Sequence, residues 1–573
     1  MGIMDKFTSP VAAKKAKTRS IVTGLMLSLA LLFILNLASA FFFYRLDLSK
    51  GKIHTLSKTS KNLAGNLKDN VVVKVYLSNN LPPDYNVLTR YTKDLLGEYK
   101  QYSKGRFRFE LVNTSNEDEF RGQATRDNIF AQRVMILEND QQSVRDIFMG
   151  IAFEYKGNRE SLNLTQDIEG RLEYEITSIL RRLTKASLPK VSVYQDSLYN
   201  AEYYRYFEHH INQNYQVMPT NLTQPVKTSD VLIFPGVTDS MTALQLYNLD
   251  QYIMHGGKVV FLQDRVMGLV QYNQADLINS NIFKLLEHYG IVIKPDIVLD
   301  QSCAPINMSQ RSGIFVIDVP MPYPAIPMVQ GMESSPISKG LSDILFYLCS
   351  EINTNPNPNS KDVAITPLLK TSSNSGVLPG PDFDINPEKF LGQKLMSTLL
   401  MSPITVSALY TGTFTSFFAR QPSIARTEGF VSKTDKSEII VISDSDFIRD
   451  FIVSASSSNM MFLLNAVDFL LKDISLSEVR SRTIPKSPLE ISRWLYKNNV
   501  SPEDIARIEP QIKQLVKALN LILPSLLLVF IGLRRFFSVK RYKRRIIRRF
   551  QPILPVVEMH DKQEELQDEE HPE

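Results

Sequence analysis

Residues Ile21 to Tyr44 carry no charged side chain, and this stretch constrains the chain more than any other. At ~1.5 Å per residue, a helix of that length spans roughly 36 Å, enough to cross a hydrocarbon core of ~30 Å with some tilt. Lys14, Lys15, Lys17 and Arg19 precede it with no acid among them. The positive-inside bias then keeps the N-terminus cytoplasmic and sends Arg45 onward across the membrane. A cleaved signal peptide is the rival reading, because Ala38-Ser39-Ala40 follows a basic n-region as a cleavage site does. The apolar run exceeds a usual h-region of ~7–15 residues and continues through Phe41, Phe42, Phe43 and Tyr44, which favours an uncleaved anchor. Either outcome exports the body.

A second span is expected at 518–537. Its charge-free part, Ala518 to Leu533, reaches only ~24 Å as a helix, so Lys517 and Arg534 must snorkel or Phe536 and Phe537 must extend it. Pro524 lies inside it, which membrane helices tolerate. Directly behind come Arg534, Arg535, Lys540, Arg541, Lys543, Arg544 and Arg545, with Arg548 and Arg549 beyond. This is stop-transfer charge for a cytoplasmic face, placed to meet anionic membrane lipid. Both termini then lie inside, and residues 46–517 lie outside.

Of 573 residues, 43% are hydrophobic and 22% charged, which is globular composition away from the anchors and enough for two to four domains. The net charge of +5 is concentrated beside the spans, so it reads as membrane-surface charge and not as a nucleic-acid footprint. The two cysteines, Cys303 and Cys349, do not make a disulfide framework. Pairing and two separate thiols both remain open.

Within the body, Ser57 caps a short helix, Val71 to Leu77 is a β-branched strand, Leu88, Tyr91, Leu95 and Tyr99 line one face of a helix, and Arg106 to Val112 is a second strand. That is a βαβ unit. A meander follows over Arg133–Leu137, Asp146–Tyr155 and Glu160–Leu164, with turns at Asn139-Asp140 and Gly157-Asn158, then a helix from Ile168 to Leu183. After Pro189 the pattern changes to short buried-type strands at Lys190–Tyr194, Asp230–Phe234 and Lys258–Leu262, separated by helix-length segments. This predicts a parallel, Rossmann-like sheet covered on both faces. Met321–Pro327, Asn353–Ser360 and Ser372–Asp382 are proline-rich and predict loops or linkers. Ser437–Ser443 and a helix from Asn459 to Leu471 then close the sheet. Ser501-Pro502-Glu503-Asp504 starts a stalk helix that Pro510 should kink or restart.

The expected divisions are a basic N-terminus (1–20), the first transmembrane helix (21–44), an α+β domain (45–188), an α/β domain (189–475) with an irregular insertion at about 302–436, a stalk (476–517), the second transmembrane helix (518–537), and a basic segment with an acidic tail (538–573).

Motifs for chemistry are mostly missing. The chain has no G-x-x-x-x-G-K-[ST], G-x-S-x-G, H-E-x-x-H or C-x-x-C. His209 and His210 would diverge by ~100° on a helix and read as a surface pair rather than a metal site. No metal or cofactor is expected. Asp264, Asp444 and Asp446 follow two of the strands, where an open parallel sheet holds its ligands. Pro235 and Gly236 form a turn that lets backbone approach closely. These five are the candidate ligand-binding residues, against the plainer reading that they cap helices and tie turns.

The order of motifs carries a resemblance. An anchor, then DLSKGKIHTLS, VVVKVYLS, DLLGEYKQYSKGRFRFELVN, DVLIFPG, LDQYIMHGGKVVFLQD and SEIIVISDSDF, then a C-terminal span, is similar to the GldG family, the gliding-motility-associated ABC-transporter auxiliary proteins of Bacteroidetes-type bacteria. The resemblance implies an inner-membrane, periplasm-facing, non-catalytic subunit that works with an ABC permease and a cytoplasmic ABC ATPase, with a solute or envelope protein as ligand. It also implies a class I glutamine-amidotransferase-like central domain, related to one in an intraflagellar transport protein. Amidotransferases carry a nucleophilic cysteine on a sharp turn after a strand. Here those turns read Phe234-Pro235-Gly236-Val237 and Leu262-Gln263-Asp264, without one. An exported amidotransferase-like hydrolase and a passive envelope scaffold remain as alternatives.

Overall fold

The computed structural model describes residues 55–482, with breaks at 80, 83–84, 139–140, 186, 197–198, 227–228, 270–271, 313–314, 356–361, 391–401, 421–427, 474 and 481. It also describes 502–549 and, near the N-terminus, residues 23, 24, 26, 27, 30, 31, 33 and 34. Those N-terminal residues are helical, and Met26, Leu27, Leu31, Phe33 and Ile34 are exposed. The rest of the expected first span, the basic N-terminus, the Asn139-Asp140 turn, Ser501 and the acidic tail lie outside the described residues. Two compact units divide at Pro485.

In the first unit, Ser57 accepts the Ser60 N–H and caps α1 (Lys58–Gly65). Strands β1 (Val71–Leu77) and β2 (Phe107–Leu111) pair in parallel, joined by α2 (Asn86–Tyr102), which buries Leu88, Leu95 and Tyr99. This is the expected βαβ unit. A helix absent from the sequence reading, α3 (Glu117–Arg126), follows, capped by Asn116 with Glu117, Asp118 and Glu119 in its first turn. Strands β3 (Ala131–Glu138), β4 (Gln141–Tyr155) and β5 (Asn158–Asn163) form the antiparallel meander. Lys156 and Gly157 make its second turn with positive φ. The sheet order is β2-β1-β4-β3, with β5 also on β4. Helix α4 (Leu172–Thr184) closes the layer and buries Leu172, Ile176, Ile179 and Leu180.

The second sheet is built on five parallel strands. β6 (Lys190–Tyr194) pairs on one side with β7 (Gln216–Thr220) and on the other with β8 (Val231–Phe234). β8 pairs with β9 (Lys258–Leu262), and β9 with the closing strand Ser437–Ile442. Numbered by appearance, the order is 2-1-3-4-5, in which the chain reverses its direction of winding between β6 and β8. β7, with Pro219 in it, is the edge strand of this part and is too short to stand out in sequence. Alternate residues feed two cores. Val193, Ile233, Val260 and Ile442 pack with α5 (Arg205–Asn214) and α8 (Ser457–Leu470), while Leu232, Phe234, Phe261 and Val441 pack with α6 (Ala243–Met254) and α7 (Ile282–His288). Burial on both faces explains why these strands read as continuous apolar runs.

The proline-rich middle corrects the sequence reading. Strands run through two of its three expected loops, and 356–360 of the loop expected at Asn353–Ser360 lie outside the described residues. Cys303–Ser312 and Phe315–Gly331 form a long antiparallel hairpin, and this hairpin, Ile344–Leu345 on its second strand, Val363–Lys370 and Thr405–Gly412 extend the parallel sheet from its closing strand to ten strands in all. Met321–Pro327 lies inside the second hairpin strand, and Ser375–Pro379, within the third expected loop, pairs with Asp296–Asp300. Pro320, Pro322 and Pro324 recur at every second residue, so their missing N–H groups fall on one edge of the strand and leave the other edge to pair.

Among the described residues, the second unit is one helix, Pro502–Arg549, uninterrupted at Pro510 and Pro524. The restart expected at Pro510 does not occur, because a proline removes one hydrogen bond without obliging neighbouring turns to end. Within it, Gln511–Tyr542 is long and apolar enough to cross a membrane, and its apolar window is unburied. Arg534, Arg535, Lys540, Arg541, Lys543, Arg544 and Arg545 all lie on this helix.

Candidate functional site

An open cleft lies at the carboxyl ends of β6, β8, β9 and the closing strand. Each of these strands contributes its following loop, with Tyr194 and Asp196 after β6, Pro235 to Thr238 after β8, Gln263 and Asp264 after β9, and Ser445 and Arg449 after the closing strand. Their convergence follows from topology: parallel strands end on one side, and the reversal between β6 and β8 parts the loops there.

Gly236 is required at its position. Its φ is +86°, and a Cβ would stand 2.5 Å from the Leu262 carbonyl oxygen and 3.0 Å from the Ser445 Cβ. The β8 turn therefore lies against the β9 turn, and Gln263 fastens the two. Its Oε1 accepts the Val237 N–H (3.0 Å), and its Nε2 donates to the Val237 carbonyl (2.9 Å). Asp264 fastens the third turn by accepting from the Ser445 N–H (2.6 Å) and from the Ser445 hydroxyl. Asp446 pairs with Arg449 at 2.9 Å. Arg449 also donates from Nε to the Tyr204 hydroxyl (3.4 Å). Tyr204 stacks on Tyr199 with centroids 4.7 Å apart and planes 3° from parallel.

Of the five residues singled out in the sequence, Pro235, Gly236 and Asp264 line the cleft. Asp446 joins it through Arg449. Asp444 stands apart, fully buried, with Oδ2 accepting the Tyr347 N–H (2.7 Å) and Oδ1 without a hydrogen-bond partner. The three carboxyls feel one another. Burial, then the neighbouring Asp446, pushes Asp264 up to about 7. Burial, then Asp264 and Asp446, pushes Asp444 well above the carboxylate range. Burial raises Asp446 against the pull of Arg449. Ser445, Arg449, Gln263, Tyr199 and Tyr204 were not foreseen. Ser445 sits between the two flagged aspartates, whereas the tyrosines and Gln263 carry no local signal.

Among the described residues no group of three His, Cys, Asp or Glu side chains is arranged to hold a metal ion. His209 and His210 lie with rings 5.4 Å apart, and His209 bonds Gln213 on the same helix. Cys303 and Cys349 are unpaired. Burial raises both thiols, Cys303 to about 11, so neither is a poised thiolate.

A domain of unknown function (DUF7088) matches residues 50–154. A protein of Borreliella burgdorferi, described as uncharacterized, is 21% identical over 293 residues, which cover 50% of this chain and 57% of the relative. This chain thus aligns with little more than half of that relative's length. The solved structure of the mmIFT52 N-terminal domain is 14% identical, covering 49% of this chain and 96% of that one, at a TM-score of 0.28, too low to show a shared fold. The profile of the family described as "ABC-type uncharacterized transport system" matches residues 184–472, which hold β6 to β9, the closing strand and the whole cleft. That match spans just over half of the 573 residues, and the chain belongs to this family of transporter-associated proteins.

Proposed function

We propose that the protein is a non-catalytic, membrane-anchored subunit of an ABC transporter complex of the gliding-motility (GldG) type. Its body faces the periplasm between two spans and binds a solute or envelope partner in the cleft. That state passes to a separate permease and cytoplasmic ATPase. The observation that carries this reading is the cleft itself: a crevice built at the switch point, whose turns hold no cysteine and whose Val237 and Ser445 N–H groups are taken by Gln263 and Asp264. A catalytic acyl-transfer site needs a nucleophile and free donors for the developing oxyanion. A binding site needs neither.

Purified complex reconstituted in lipid tests the coupling. Its ATPase activity is expected to change when residues 46–517 are deleted or when Asp264→Asn alters the cleft. Activity unchanged by both sinks the coupling and leaves a passive scaffold. For orientation, Glu202→Cys in a Cys303→Ser background is expected to react with an impermeant thiol reagent added outside the inner membrane. Labelling from the cytoplasmic side alone reverses the proposed topology.

A further inference from the structure

Residues 510–557 contain no Asp or Glu, and within them the end of the helix Pro502–Arg549 carries nine Lys and Arg residues between 534 and 549. Lys540, Arg541 and Arg544 are exposed. Positions four apart share a face of a helix, and here they repeat one sign: Lys540 with Arg544, Arg541 with Arg545, Arg544 with Arg548 and Arg545 with Arg549. Each such pair weakens a helix, and this stretch offers no acid to offset it. The helix nevertheless runs unbroken through all nine cations, so its stability there calls for counter-charge from outside it.

Membrane lipid serves only the nearer cations. With 518–537 in the membrane, the continuous helix carries Arg548 and Arg549 ~16–18 Å past Phe537. The headgroup layer is ~5–8 Å deep on each side, and salt screens a charge over ~8 Å. The last turn therefore stands beyond the reach of anionic headgroups. The chain carries its own complement, because residues 558–573 hold eight acids and one lysine, Lys562. The intervening residues 550–557 span up to ~26–29 Å when extended. The cationic stretch is ~24 Å long, so all of it lies within reach.

We infer that residues 558–573 bind the cationic end of this helix, 540–549, as an intramolecular counter-ion. An anionic lipid surface is the rival occupant. The inference rests on the proposed reading of 518–537 as a membrane span. Both segments follow that span, so the inference holds whichever side of the membrane the body faces.

Trypsin cleavage of the full-length protein tests it, in nanodiscs of phosphatidylcholine, which has no net charge, at low ionic strength. Glu564→Gln, Glu565→Gln, Asp568→Asn, Glu569→Gln and Glu570→Gln together are expected to speed cleavage within 540–549 several-fold. At 1 M salt, where the screening length falls to ~3 Å, the difference between the two proteins is expected to vanish. Equal cleavage of both at low salt overturns the inference. Protection that arises only in discs containing phosphatidylserine, and alike in both proteins, assigns the counter-charge to lipid and also overturns it. Carbodiimide coupling of isotope-labelled and unlabelled protein, reconstituted two copies to a disc, identifies the partner. Amide links from Lys540 or Lys543 to residues 558–573 of the same copy are expected. Links between copies only, or none to that segment, overturn the inference. If these results are as expected and no cleft variant alters ATPase activity, only the coupling proposed above fails.

Discussion

Two of the places where the body buries ionisable groups balance them differently. Where the N-terminal α+β layer meets the end of the second sheet, Asp468 and Arg480, both fully buried, pair at 2.7 Å. Arg480 also donates to Asn465 and lies over the Tyr174 ring, and Tyr215 donates to the second oxygen of Asp468. Arg181 stands 3.8 Å from Asp468 and 2.6 Å from Asp473, which also receives Lys185. Nearby, Glu478 accepts from Lys58 N–H and the Thr59 hydroxyl, and Arg482 donates to the Thr55 carbonyl, so α9 (Ser475–Arg480) and the turn after it clasp the start of the N-terminal layer. Arg181, Lys185, Arg480, Asp468 and Asp473 each lie within ion-pairing distance of an opposite charge there. At the cleft, Asp446 pairs with Arg449, whereas Asp264 and Asp444 accept from the neutral N–H groups of Ser445 and Tyr347 and are raised by burial. Compensated charge fixes how elements join. Carboxyls raised by burial and by one another in a crevice mark a candidate functional site.

The sharpest way to break this comparison is to remove one member from each group. Arg480→Met strands Asp468 without its counter-ion and is expected to cost about 3–5 kcal/mol, read from chemical denaturation of the full chain. A loss below about 1 kcal/mol would show the joint to be dispensable. Gly236→Ala forces a Cβ against the Leu262 carbonyl at positive φ and should cost about 1–3 kcal/mol by the same measurement. This tests whether the cleft turns are held as rigidly as the joint. Asp444→Asn takes away a repelled carboxyl while keeping an acceptor for Tyr347, so stability should move by less than about 1 kcal/mol. A loss as large as that of Arg480→Met would mean the cleft carboxyls are structural after all.

The smallest effect sharpens the contrast through pH. Asp264 titrates near 3.8 when unfolded and about 7 when folded, so between those values the native state holds the extra proton. Its contribution to stability is therefore fullest below the lower value and is lost as pH rises toward about 7. Asp296, raised to about 6 by burial, acts in the same direction. Melting temperatures of Asp264→Asn from pH 4 to 7.5 should decline less steeply than those of the unsubstituted protein. Equal slopes would show that Asp264 keeps an ordinary carboxyl in the fold.

Much of this fold is legible in local pattern. Lys190–Tyr194 and Lys258–Leu262 have the bounds their β-branched runs imply, and Thr242 caps α6 as its position before an apolar-periodic segment requires. The proline-rich hairpin was missed because a proline reads locally as a break, although the alternation at 320, 322 and 324 is itself a strand period. Helix α3 carried a cap signal in Asn116 followed by three acids, but only Phe120 and Ala124 are buried in it, too few for an apolar stripe.

The amino-acid order alone determined the apolar stretches, the cations behind the second one, the buried strands and the acids that follow them, because each depends on composition or spacing within a few residues. Only the tertiary structure decided that β7 and β8 flank β6, so that four loops far apart in the chain meet in one cleft. It also decided that Asp264 lines the cleft with Asp444 shut away behind it, and that Gln263 and Asp264 hold the Val237 and Ser445 N–H groups. Pairing of strands distant in sequence is driven by burying both faces of a sheet, and that drive acts on the whole molecule, beyond the reach of any local pattern.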